Sequence, residues 1–178
     1  MRHVLLVLAL ALTGCSGFRT LERGDWVLAY TDEVVQTQNV NGTNIEVVKP
    51  APGSRQEVIP LDRYEAEITE GKRRKVSTTF ASTPKDVAQI SEPLEMMLGE
   101  VRELRVSEPQ EVTVSLAGDA VKAFWGRRVT NEEWKDGSAI EHKESSLFLQ
   151  ADDAGRAKVK VEQPGKEPLT VEVSVHAR

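Results

Sequence analysis

His142 lies in the run Ile140-Glu141-His142-Lys143-Glu144-Ser145-Ser146, which gathers an imidazole, two carboxylates and two hydroxyls in one short stretch. These are the groups of acyl transfer, in which a histidine takes the proton of a serine and a third group orients the ring. The spacing argues against that use. Adjacent side chains of an extended strand point to opposite faces, and the chain has no Gly-x-Ser-x-Gly turn to lift a serine out of the backbone. His142 therefore reads as part of a solvated loop, and His176, close to the C-terminus, as part of a fraying end. Asp152-Asp153 ahead of Gly155 offers carboxylates to a cation but lacks the alternating oxygens and distal glutamate of a calcium loop. Asx hydrogen bonds in a turn account for the pair. The expectation is no catalytic residue, no metal and no cofactor.

Contact, by contrast, has candidates. Lys72-Arg73-Arg74-Lys75 is a dense cationic run in a chain of formal net charge −5. At the tip of an expected hairpin it would meet an acidic partner or a phosphate-bearing envelope component, or simply guard a strand edge. Trp125 and Trp134 bracket Arg127-Arg128, and aromatics with arginine are enriched where interfaces are tightest. Trp125 is assigned to the core, which leaves Lys72, Arg73, Arg74, Lys75 and Trp134 as the candidate partner contacts. The acidic balance excludes a nucleic-acid binder, which would display clustered positive charge.

The sole cysteine, Cys15, follows nine apolar residues, 4–12, and Thr13-Gly14. A spanning helix needs about 20 apolar residues and a secretory signal core about 7 to 15, so the run suits the second. Leu12-Thr13-Gly14-Cys15 resembles the lipobox of bacterial lipoproteins, in which the cysteine is diacylated on sulfur and becomes the mature N-terminus. The resemblance implies a signal peptide over 1–14, palmitate-type acylation of Cys15 and membrane attachment through the lipid; Ser16, in place of an aspartate, implies the outer membrane, facing the periplasm. Two or more acyl chains anchor stably where one is marginal. The mature chain would carry 22 basic against 28 acidic residues, a net of −6, so the lipid alone would hold it at the membrane.

The elements that would carry these residues are strands. After a polar tether over 15–25, Trp26 opens an alternation of apolar and polar residues between turn signals. Asn41-Gly42 predicts a hairpin between 34–40 and 44–48, since both residues tolerate positive φ. Glu70-Gly71-Lys72 predicts a second, with Tyr64, Ala66 and Ile68 on one arm and Val76, Thr78 and Phe80 on the other. Thr83-Pro84 predicts a short helical turn over 84–89. Further on, 112–116 alternates, Leu147-Phe148-Leu149 is a buried run, Ala157, Val159 and Val161 share a face, as do Leu169, Val171, Val173 and Val175, and Gln163-Pro164-Gly165 joins the last two strands.

"LGEVRELRVSEPQEVTVSLAGDAVKAF" and "SLFLQADDAGRAKVKVEQPGKEPLTVEVSV" resemble the bacterial immunoglobulin-like domains of adhesins and the N-terminal domains of pilus-associated secretins. Gly99 stands for the glycine after the first strand, and Leu149, Ala151, Gly155, Val159 and Val173 for the closing pattern. "GRRVTNEEWKDGSAIEHKES" departs from it, being longer and more charged. The resemblance implies an all-β chain: a small β-rich domain over 26–84, then an immunoglobulin-like β-sandwich over 85–178. Such domains are spacers and docking modules. The expected function is a lipid-anchored structural or interaction protein of the cell envelope, accessory to an envelope, surface or secretion assembly, with an envelope protein as partner. The alternative is a ligand-binding or hydrolytic lipoprotein using a loop over 126–146.

Overall fold

The structure, a computed structural model, describes residues 17–72, 84–107, 111–133 and 139–177. Along the chain it forms β1 (Arg19–Thr20), β2 (Arg23–Tyr30), β3 (Glu33–Val40), β4 (Thr43–Pro50), β5 (Gln56–Pro60), α1 (Leu61–Thr69), β6 (Lys85–Asp86), a 3-10 turn (Val87–Gln89), β7 (Leu94–Met97), β8 (Val101–Arg105), β9 (Thr113–Ala117), β10 (Val121–Glu133), β11 (Ala139–Ala151), β12 (Gly155–Glu162) and β13 (Leu169–His176). Among the described residues the fold is all-β apart from one short α-helix and one 3-10 turn. One sheet has the order β1-β9-β12-β13-β7 and a second β5-β2-β10-β11-β8-β6, while β3 and β4 pair only with each other among the described residues.

Alternation builds the main core. Val159 and Val161 of β12, Val171 and Val173 of β13, and Val114 and Leu116 of β9 turn one face of the first sheet onto Leu104, Val121, Trp125, Leu147 and Leu149 of the second. All are buried, and each such side chain contributes about 1.5–3 kcal/mol by leaving water. The register expected for β12 holds: Val159 is fully buried and Lys158, beside it, is exposed. Gly165, at φ 73°, turns β12 into β13.

The second sheet also buries its other face. Strand β5 comes into contact with β11 although β2 and β10 separate them in the sheet, so this sheet coils. Its concave side encloses Leu28, Val58 and Phe148, with Trp26, Val101 and Phe124 packed against them. Trp26 meets Phe124 edge to face at 5.1 Å. Phe148 is therefore buried on the face opposite to Leu147 and Leu149, which explains why three successive apolar residues occur in one strand.

Four expectations need correction. The stretch containing Tyr64, Ala66 and Ile68 is helix α1, because Leu61, Tyr64 and Ile68 also recur at helical spacing and cover Val27, Ala29, Ile59 and Val129. Glu70-Gly71-Lys72 is accordingly the helix's end and not a hairpin tip. Gly71 at φ 71° sends its N–H to the carbonyl of Ile68, and Lys72 sends its own to Glu67, the pair of bonds that a left-handed glycine closes at a helix C-terminus. Within the loop expected over 126–146, residues 126–133 and 139–146 are the outer parts of the long β10 and β11 strands, whose charged side chains disguised their alternation. Within the expected tether, residues 19–20 and 23–25 are already strand, β1 pairing with β9 and β2 with β10. The hairpin at Asn41-Gly42 forms as expected, with φ of 52° and 83°. The turn near 84–89 is a single 3-10 turn, capped by Asp86 Oδ1 accepting the Ala88 N–H at 2.8 Å.

The pairing of β2 with β10 is parallel and passes through two glycines set opposite each other, Gly24 and Gly126. Gly126 has φ 144°, and a Cβ there would stand 1.9 Å from the carbonyl oxygen of Gly24. A Cβ on Gly24 would press on the Trp26 indole at 3.0 Å, and that indole donates from Nε1 to the Trp125 carbonyl at 2.9 Å. Only glycine allows the strands and the ring this approach.

Candidate functional site

The polar residues singled out in the sequence do not converge. His142 is exposed on β11, opposite Thr130. Ser146 shares its face four residues along, roughly 13 Å away on an extended strand, and Ser145 points to the other face. A proton transfer between His142 and either serine has no geometry here. Ser146 is buried and gives its Oγ–H to Glu103 Oε1 at 2.5 Å. His176 pairs with Glu95 at the surface. Asp152 and Asp153 bond through their N–H groups to the Ala120 carbonyl, and Asp152 takes Lys122 at 2.9 Å, so this is a structured turn. Among the described residues no three His, Cys, Asp or Glu side chains are placed to hold a metal ion.

Of the contact candidates, Lys72 is exposed at the end of α1 and pairs with Glu70 at 2.6 Å. Arg73, Arg74, Lys75, Trp134 and Cys15 lie outside the described residues, as do Val76, Thr78 and Phe80.

What the fold does bring together went unseen in the sequence. Arg127 and Arg128, adjacent on β10, leave the sheet on opposite faces and each takes a carboxylate from a distant strand. Arg127 gives Nε and Nη2 to Asp25 of β2 at 2.8 and 3.0 Å. Lys143 approaches the same carboxylate at 3.9 Å and Glu141 at 2.8 Å. This cluster sits between the main core and the helix-covered one, both of which include β10 residues. It is half exposed, where an ion pair is worth about 0–1 kcal/mol. Arg128, on the concave face, gives Nη1 to Glu103 Oε2 at 2.9 Å, and Glu144 lies 3.5 Å from its Nη2. The side chains of Arg128 and Glu103 are 14% and 8% exposed, so this pair, with Ser146, forms a buried polar network beside Phe148. Such a pair adds little net stability, but losing one partner strands a charge away from water.

Arg23 extends over the Trp125 ring at 5.5 Å and reaches Ser145 Oγ at 3.4 Å. The groups of this band answer one another, so the band positions strands. At the far end of the main core, a cavity of about 240 Å³ opens among Val87, Val106, Val161 and Leu169. Its polar rim is bonded internally: Ser107 Oγ donates to Asp86 at 2.5 Å, and Gln163 Nε2 to the Ser107 carbonyl at 2.6 Å. On the outer face of the first sheet, Lys158 Nζ holds Glu172 at 2.8 Å, and its hydrogen bond and charge keep that carboxyl below the ordinary carboxylate range.

No helix among the described residues is long and apolar enough to cross a membrane. Comparison of the chain with protein-family models, with curated proteins and with solved structures finds no match.

Proposed function

We propose that the protein is a lipid-anchored structural and docking module of the bacterial cell envelope, non-enzymatic, held through Cys15 at the outer membrane on its periplasmic side. Its C-terminal half would be an immunoglobulin-like sandwich serving an envelope, surface or secretion assembly. The reading rests on one observation: the lone cysteine follows a signal-like apolar run, and strand β1 begins at Arg19, four residues beyond it. Four extended residues reach at most about 14 Å. A module tethered so closely stays against the bilayer and works by contact with what lies there. The separation of His142 from Ser145 and Ser146 supports contact over hydrolysis.

The test compares the wild type with Cys15→Ser by palmitate labelling, detergent phase partition and mass spectrometry of the mature N-terminus. The wild type is expected to carry acyl mass on Cys15 and enter the detergent phase, and the variant to do neither. A wild type processed elsewhere and free of acyl groups overturns the reading. For the role itself, His142→Ala with Ser145→Ala should leave the deletion phenotype rescued. Glutamate at Lys72, Arg73, Arg74 and Lys75 should slow partner association most at low salt.

A further inference from the structure

The β3–β4 arm carries one edge of a kind that folded proteins usually guard. From Val34 to Ile45 the sequence has no charged residue, in a chain whose residues are 29% charged. Its two-residue turn makes Val40–Thr43 a hydrogen-bonded pair, so Gln38–Ile45, Gln36–Val47 and Val34–Lys49 exchange bonds across the arm. The intervening pairs do not. Asn39 and Asn44, one of them, show the close side chains of such a pair, with Asn39 Nδ2 donating to Asn44 Oδ1 at 2.9 Å. The backbone N–H and C=O groups of Val35, Thr37 and Asn39 therefore point away from β4, and among the described residues β3 has no other partner strand. The outer edge of β4 is different: Glu46 stands at its centre and Pro50, which has no N–H, at its end. Charge and proline are the usual guards of an edge, and β3 has neither between 34 and 40.

We infer that β3 is a self-association edge, which pairs antiparallel with β3 of a second copy of this chain about a two-fold axis through Thr37. The bond phase selects this register. Thr37 faces Thr37 of the second copy, and Val35 faces Asn39, so every outward backbone group of these residues is matched. Val34 comes opposite Val40, which is 46% exposed in the single chain, and Gln36 opposite Gln38. No like charges meet. The corresponding register on β4, centred at Glu46, would oppose two carboxylates, which disfavours it. The two-fold gives a closed pair.

The experiment uses the full chain carrying Cys15→Ser, so that an introduced thiol is the only one and the outcome is independent of the lipid anchor. With Thr37→Cys the two thiols would sit on the axis, on Cα atoms about 5.5 Å apart. A short bismaleimide added to cells should then give a product of twice the chain's mass, while Glu46→Cys on the guarded edge should stay monomeric. By sedimentation, Thr37→Lys, which opposes two cations at the axis, should weaken the dimer at least about tenfold. Three outcomes overturn the inference: no dimer from Thr37→Cys, equal yields from both cysteine positions, or an adduct of another mass. A dimer unaffected by Thr37→Lys overturns it as well.

Discussion

Hairpins β10–β11 and β3–β4 are built alike and held differently. Each has equal-length antiparallel arms, thirteen residues in the first and eight in the second. The arms of β10–β11 have neighbours on both sides, β2 and β8, and bury side chains on both faces. The β3–β4 arm has its turn, its ladder and the Asn39–Asn44 bond. A turn can set register by itself, but a two-stranded hairpin alone is marginal in water. The contrast assigns global stability to β10–β11 and local adaptability to β3–β4.

The strongest test is Gly126→Ala. Its Cβ would collide with the Gly24 carbonyl, and no side chain moves to relieve a backbone clash. The expected cost is about 4 kcal/mol or more, among the large values for single substitutions. At about 2–4 °C per kcal/mol, Tm should fall by at least about 8 °C. An unchanged Tm would mean that β2 is not essential to the sheet.

Glu103→Gln should come next. It keeps the shape but removes the carboxylate charge that faces the buried Arg128 at 2.9 Å, at a cost of about 2–4 kcal/mol by chemical denaturation. Equal denaturation midpoints for variant and wild type would show that water already reaches the pair.

Gly42→Ala probes the other hairpin. At φ 83° an alanine costs about 1–2 kcal/mol, with open space around the added methyl. Amide exchange across β3 and β4 should speed up while Tm barely moves. A large fall in Tm would erase the contrast and make the arm part of the cooperative core.

The smallest effect concerns Lys158–Glu172 on the third hairpin, β12–β13. Glu172 is held low by Lys158, so what this pair contributes is present above the ordinary carboxylate pKa and is lost as pH falls through the lowered one. In Lys158→Met the Glu172 titration followed by NMR should move up toward its ordinary value, with melting hardly changed. A Glu172 titration identical in the two proteins would assign the lowering to another group.

How legible these regions were follows from where their determinants lie. The turns at Asn41-Gly42 and Gln163-Pro164-Gly165 are local chemistry, and the alternation in β12 and β13 reports a sheet with one buried face. Both were readable. Helix α1 was not, because Tyr64 and Ile68 satisfy a strand period and a helical one, and Gly71 at positive φ serves a hairpin or a helix end. The outer halves of β10 and β11 looked like loop because their charges are answered only in the fold, Arg127 by Asp25 and Arg128 by Glu103. A double arginine flanked by apolar alternation was the one available hint. The parallel pairing of β2 with β10 left no mark beyond Gly24 and Gly126 themselves.

That pairing also orders events in time. Arg127 and Asp25 are 102 positions apart, and β1 likewise awaits β9. At roughly 5–20 residues per second, the first strands spend about 5–20 s without these partners while the ribosome makes them. Strand β1 therefore lacks β9, and β2 has only β5 to pair with, until more than half of the chain has been made.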